Sequence, residues 1–396
     1  MLPQPRATGQ WRWFLPALAI LGVVAALEMP PGLGQSPPSP TPNRERREKL
    51  RERDRLIAEV QKLQAAGQLA EAMAVAEKML ALEREVFGPV HPDVAASLAW
   101  LAGAHEQRED FDAARKARKQ VLVIRVQLHG QKHWRVTDAQ LDLADVDVLA
   151  RLDHAQWRQL READALMQRV SQLDRQGKAR EALALAEKAR RIRQDIYGVE
   201  HRHYAQSLNN LATLYKSMGD YARAEPLYRQ ARDIVKKALG ETHPDYATIL
   251  NNLAELYYSM GDYARAEPLY RQARDIDKKV LGETHPDYAG SLNNLAELYR
   301  AMGDYARAEP LYRQAGDIRK KALGETHPHY ALSLASLAAL YYSMGDYARA
   351  EPLFRQARDI DKKALGETHP HYAGSLNNLA ELYRAMGDYA RAEPLY

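Results

Sequence analysis

The chain of 396 residues contains no cysteine. Disulfides, thiolate metal ligands and cysteine nucleophiles are therefore excluded from it. Phenylalanine is scarce, with 4 residues against 22 tyrosines, so the aromatic packing must be done by rings that carry a hydroxyl. Charge of one sign is not in excess: 56 basic residues face 52 acidic ones, for a net charge of +4. The concentrated basic patch that marks a nucleic-acid binder is missing. There is no glycine-rich phosphate loop and no nucleophile elbow, and the acidic residues are spread over helix faces rather than paired. These absences describe a chain without catalytic residues or a cofactor site.

One long apolar run is present, Trp13 to Leu27, preceded by Arg6 and Arg12. Its length suits a signal-peptide core better than a membrane span of ~20 residues. Gly32 and Gly34 stand where a cleavage before Gln35 would need small residues. Residues 1–34 are read as a signal peptide and the mature chain as exported. The alternative is an uncleaved membrane anchor over residues 11–27. Residues 35–46 follow as a proline-rich linker, opening with SPPSPTPN, which lacks the apolar side chains needed to fold.

What the chain has in abundance is repetition. The nine residues GDYARAEPL begin at Gly219 and recur from Gly261, Gly303, Gly345 and Gly387, always 42 apart, each followed by an aromatic ring. Within one unit, Leu250, Leu253, Ala254 and Tyr257 fall at the i, i+3, i+4, i+7 spacing of one helical stripe. Pro244 suits the first turn, Gly261 the left-handed closing position, and Asp262 the N-cap of a second helix. That helix carries Ala266, Leu269, Tyr270, Ala273 and Ile276 on its own stripe, and stops at Gly282 after Lys278 and Lys279. Pro268 lies inside it, where a proline removes one hydrogen bond and is expected to bend the helix locally. Each hairpin has apolar faces but no closed core, so only stacking on neighbours can bury them.

Leu208, Leu211, Ala212, Tyr215, Gly219, Tyr221, Ala224, Tyr228 and Ala231, with their downstream equivalents, resemble the tetratricopeptide repeat. The 42-residue unit with its GETHP loop is similar to the repeats of kinesin light chains and of large exported bacterial proteins. The resemblance implies an all-α fold, a right-handed superhelical solenoid of stacked helical hairpins. It weakens towards the N-terminus, where the segment from Gly67 parallels the one from Gly177 at an offset of 110 residues. The organisation read from this is a divergent run over 47–153 opened by a long helix, a long helix and divergent repeat over 154–200, and near-identical units over 201–396, the last incomplete.

The resemblance also implies a function, a non-catalytic scaffold that binds extended peptides or partner segments along the first helices. There the pairs Asn209/Asn210, Asn251/Asn252, Asn293/Asn294 and Asn377/Asn378 form a ladder broken at Ala335/Ser336. Asparagine gives and takes hydrogen bonds, so such a ladder can hold a peptide backbone, or else bridge neighbouring helices. Six residues beyond the second asparagine position stand Lys216, Tyr258, Arg300, Tyr342 and Arg384. They offer alternating rings and guanidinium groups, suited either to binding hot spots or to packing between first helices. The His-x-His pairs at His201/His203, His327/His329 and His369/His371 start helices, and no metal is assigned to them. The chain ends at Tyr396 inside a second helix, from which a longer product is expected. In the proteins it resembles, such arrays often lead into a caspase-like CHAT domain, and the array would then be its sensing arm.

Overall fold

A computed structural model describes residues 44–396. The leader read over 1–34 and most of the linker lie outside the described residues. Helix begins at Arg44, three residues before the start of the folded region read from the sequence. Every regular element among the described residues is helical, and no helix among them is long and apolar enough to cross a membrane.

The described chain forms two compact units whose border runs through the helices His154–Arg175 and Ala179–Tyr197. The first unit contains α1 (Arg44–Ala65), α2 (Leu69–Phe87), α3 (Pro92–Gln107), α4 (Phe111–His129), α5 (Trp134–Leu149) and most of α6 (His154–Arg175), with the end of α7 (Ala179–Tyr197). The second contains the start of α7 and five hairpins. These are α8 (Arg202–Ser217) with α9 (Tyr221–Leu239), α10 (Pro244–Ser259) with α11 (Tyr263–Leu281), α12 (Pro286–Ala301) with α13 (Tyr305–Leu323), α14 (Pro328–Ser343) with α15 (Tyr347–Leu365), and α16 (Pro370–Ala385) with α17 (Tyr389–Ala392).

Local chemistry sets these boundaries. Asp220, Asp262, Asp304, Asp346 and Asp388 each accept the N–H three residues on at 3.1 Å, the N-cap bond that starts the second helix. The first helices are capped by histidine. Nδ1 of His201, His243, His285, His327 and His369 accepts the N–H two residues on, at 3.1–3.3 Å. That bond uses one ring nitrogen of every His-x-His leader as an acceptor. Gly261, at φ +75°, makes the left-handed turn between α10 and α11. In the first unit the equivalent turn is made by Glu109 at φ 60°, a strained conformation for a residue with a Cβ. The helices containing Pro226, Pro268, Pro310 and Pro352 run unbroken for 19 residues, and the prolines face solvent, so the carbonyls they leave unbonded can meet water.

The expected stripes are buried. Ala254, Ala266 and Ala273 have no exposed surface, and Tyr257 and Tyr270 are nearly as enclosed, while Leu269 is only half-buried. Successive hairpins are joined by a recurring four-residue clamp. The hydroxyl of Tyr257, at the end of α10, donates to Glu225 on α9 at 2.9 Å and accepts from Arg229 at 3.1 Å. Arg265 of α11 lies over the Tyr257 ring, 4.2 Å from its centroid, and reaches the same Glu225. Tyr299 repeats this with Glu267, Arg271 and Arg307, Tyr341 with Glu309, Arg313 and Arg349, and Tyr383 with Glu351, Arg355 and Arg391. The repeated nine residues supply the capping Asp, the Arg and the Glu of this junction.

A second aromatic ring on each second helix faces the first helix of its hairpin, and in three hairpins its hydroxyl has a polar partner there. Tyr228 pairs with Thr213 at 2.8 Å, and Tyr312 and Tyr396 donate to Glu297 and Glu381 at 2.6 Å. At the equivalent positions of the fourth hairpin stand Phe354 and Ala339. Hydroxyl and carboxylate are lost together, because a buried hydroxyl without a partner is costly. Phe354→Tyr alone is expected to destabilise the second unit by about 1–3 kcal/mol, and Ala339→Glu added to it to recover most of that loss. Urea melts of the full chain test this, and a neutral Phe354→Tyr would refute the pairing.

In the first unit, Glu83 is buried and accepts from Ser97 Oγ at 2.7 Å. Burial pushes its carboxyl up to about 7, against the lowering hydrogen bond from Ser97. The folded state then holds a proton that the unfolded chain releases near the usual carboxylate range, so stability falls as pH rises from about 4.5 to 7. Glu83→Gln should flatten the first unit's melting profile over that window. An unchanged slope in the variant would assign the effect elsewhere.

Candidate functional site

The asparagine pairs and the second variable row lie on the first helices of the second unit, α8, α10, α12, α14 and α16. Neighbouring first helices touch, with α8 on α10, α10 on α12 and α12 on α14, so these residues form one wall. The asparagines are set deep in it. Asn209, Asn210 and Asn252 are buried; Asn251, Asn293, Asn294, Asn377 and Asn378 are half-buried. Asn252 Nδ2 donates to Asn209 Oδ1 at 2.9 Å, and Asn251 Nδ2 to Ser291 Oγ at 3.2 Å. Several asparagines thus tie one first helix to the next. The Oδ1 atoms of Asn251 and Asn293 are enclosed and receive no hydrogen bond.

The second variable row is held by a carboxylate that sequence reasoning did not single out. Lys216 forms an ion pair with Glu255 on α10 at 2.7 Å. Tyr258 donates to Glu297 on α12 at 3.2 Å. Arg300 turns back onto Glu297 of its own helix at 3.1 Å and also reaches Ser343 on α14 at 3.0 Å. Arg384 likewise binds Glu381 at 3.2 Å. Tyr342 lies tilted against Tyr347, at an interplanar angle of 42° with ring centroids 5.7 Å apart. Glu297 therefore collects Tyr258, Arg300 and Tyr312. Burial alone would raise its carboxyl, but the Arg300 hydrogen bond and charge, with the two tyrosine hydroxyls, hold it below the ordinary value. The signal in the sequence was Glu255, Glu297 and Glu381 four residues after an asparagine, a position taken by Thr213 on α8 and by Ala339 on α14.

Chemically the wall offers amides, hydroxyls and charges already paired with one another. Models of the tetratricopeptide repeat match residues 161–237, 217–279, 245–321, 287–363 and 336–396, with a further match at 63–93. The chain belongs to the tetratricopeptide-repeat family. Solved structures similar to it include BtubC (BKLC) from P. vanneervenii, 28% identical over 61% of this chain and 89% of that one, with a TM-score of 0.45. A kinesin light chain-like protein of Podosopora anserina with nearly identical TPR-like repeats is 32% identical over 50% of this chain and 93% of that one, with a TM-score of 0.43. No curated protein matches the sequence. Tetratricopeptide arrays are typically non-catalytic scaffolds for protein interaction, and this chain is an all-α solenoid of that kind.

Proposed function

We propose that the first-helix wall of the second unit holds an extended peptide or partner segment by its backbone. The observation that carries this reading is the pair of enclosed amide oxygens, Asn251 Oδ1 and Asn293 Oδ1, which sit one repeat apart and receive no donor from the array. Buried acceptors are nearly always satisfied in a folded protein, and a peptide N–H laid along the wall would supply the missing donors regardless of its sequence. The neutralised ion pairs beside them support an uncharged, backbone-led contact over recognition of a charged ligand. Export of the chain, read from its N-terminal residues, would make the partner an extracytoplasmic one.

The double variant Asn251→Ala/Asn293→Ala is expected to lower capture of partners from the native cell extract by about tenfold, since each hydrogen bond contributes about 0.5–1.5 kcal/mol. Gln272→Ala, on the exposed side of α11, should leave capture unchanged. Equal capture by the double variant and the parent chain would remove the asparagines from the site.

A further inference from the structure

The wall loses its polar asparagine and carboxylate or hydroxyl positions at one helix, since even α8 keeps Asn209 and Thr213 there. The i, i+4, i+7 stripe along it reads Asn251, Glu255, Tyr258 on α10, Asn293, Glu297, Arg300 on α12 and Asn377, Glu381, Arg384 on α16. On α14 it reads Ala335, Ala339, Tyr342, all half-buried and packed on the apolar cluster of Tyr341, Phe354 and Leu382. Loss of the Glu at 339 has an internal cause, the matching loss of a hydroxyl at Phe354. Loss of the asparagine at 335 has none, because its counterparts point along the wall and nothing in α15 requires alanine there. Two long polar side chains are thus removed from adjacent turns of one helix face, leaving a notch with an apolar floor.

Its surroundings specify what fits. Arg300 on one side is neutralised by Glu297, and Arg384 on the other by Glu381, so the rim presents balanced charge. On the neighbouring α12, Asn293 Oδ1 is enclosed and has no donor. A side-chain amide acceptor and an apolar floor therefore lie on the adjacent helices α12 and α14. Packed helices are ~8–10 Å apart, a distance that about three residues of extended chain would cross.

We infer that the notch formed by Ala335, Ala339 and Tyr342 is the side-chain specificity pocket of the wall, and that it takes an unbranched or γ-branched apolar residue, such as Leu or Met, of an extended peptide. The inference rests on the peptide-binding reading above and adds the chemistry of the bound residue. Leucine buried on the alanine pair withdraws its apolar surface from water, whereas a charged residue there would be desolvated beside ion pairs that already satisfy each other.

The test uses the full chain with isotope-labelled alanine methyls, titrated with the acetylated peptide Gly-Ser-Asn-Gly-Xaa-Gly-Asn-Ser-Gly. Xaa is Leu, Met, Ser, Asp or Lys. The Leu and Met peptides should bind about tenfold more tightly than the Ser peptide, with shifts at Ala335 and Ala339. The triple variant Ala335→Asn/Ala339→Glu/Phe354→Tyr rebuilds the hairpin with the residues its neighbours use, which keeps it foldable. It should bind all five peptides as the parent binds the Ser peptide. Equal binding of all five by the parent, or a Leu preference that survives in the triple variant, overturns the pocket. Concentration-dependent self-association lost in the triple variant would assign the notch to a second copy of the chain and also overturn it. Unchanged affinity for the Ser peptide in Asn251→Ala/Asn293→Ala would instead refute backbone capture, leaving the two readings separable.

Discussion

Everything in the second unit depends on the junction between one hairpin and the next, because a single hairpin cannot cover its own apolar faces. The junction is made of alanines that let helices approach and a tyrosine that is held three ways. Tyr257 donates to Glu225, accepts from Arg229 and lies under Arg265. Each of these contacts is modest, about 0.5–1.5 kcal/mol for a hydrogen bond and about 0.5–1 for an exposed cation–π pair. Their weight comes from recurrence at Tyr299, Tyr341 and Tyr383, since solenoid stability sums over neighbouring interfaces. The repeated sequence is the invariant half of that joint, which is why it is copied with so little change.

A fixed joint frees the opposite face to differ. Lys216, Tyr258, Arg300, Tyr342 and Arg384 occupy equivalent positions with three different side chains, yet the clamps behind them stay alike. What limits variation on the wall is the satisfaction of polar groups beneath it. Glu297 is kept because Tyr258, Arg300 and Tyr312 all donate to it. Where that carboxylate is replaced by Ala339, the tyrosine below becomes Phe354. The wall is edited in coupled sets rather than residue by residue, and the apolar notch on α14 is one such edit.

The helices, their caps and the buried stripes were legible in the sequence, because period, proline, glycine and aspartate each act locally. The depth of the asparagines was not. Their side chains lie on the expected face, but burial of Asn209, Asn210 and Asn252 depends on the distance to the neighbouring helix, which no local pattern encodes. The alternative of bridging describes Asn252 and Asn209, whereas Asn293 keeps an oxygen without a donor. The histidines show a related limit. A His-x-His spacing says that two rings are close, but the N-cap use of Nδ1 follows only from the backbone turn before each helix. In the first unit the repeat is obscured where Glu109 takes the glycine position at a positive φ.

Near-identical repeats raise a problem of register, since any first helix could dock on any second helix. One buried position breaks the equivalence. Ser291 donates to Asp277, Ser333 bonds Arg319 at 2.8 Å, and Ser375 donates to Asp361 at 2.6 Å. A serine hydroxyl can donate to a carboxylate or accept from a guanidinium, so one serine serves both signs of charge. The equivalent residues on α9 and α10 are Val235 and Ile249, both fully buried and apolar. A hairpin that looped out and placed α9 against α12 would enclose Ser291 beside valine, and an array in which α11 took the place of α9 before α10 would enclose Asp277 beside isoleucine. An unpaired buried carboxylate costs far more than the apolar contact gains. The first junction of the array is therefore distinguished from the later ones by what it lacks, which penalises a mis-stacked array at the end where the repeats begin.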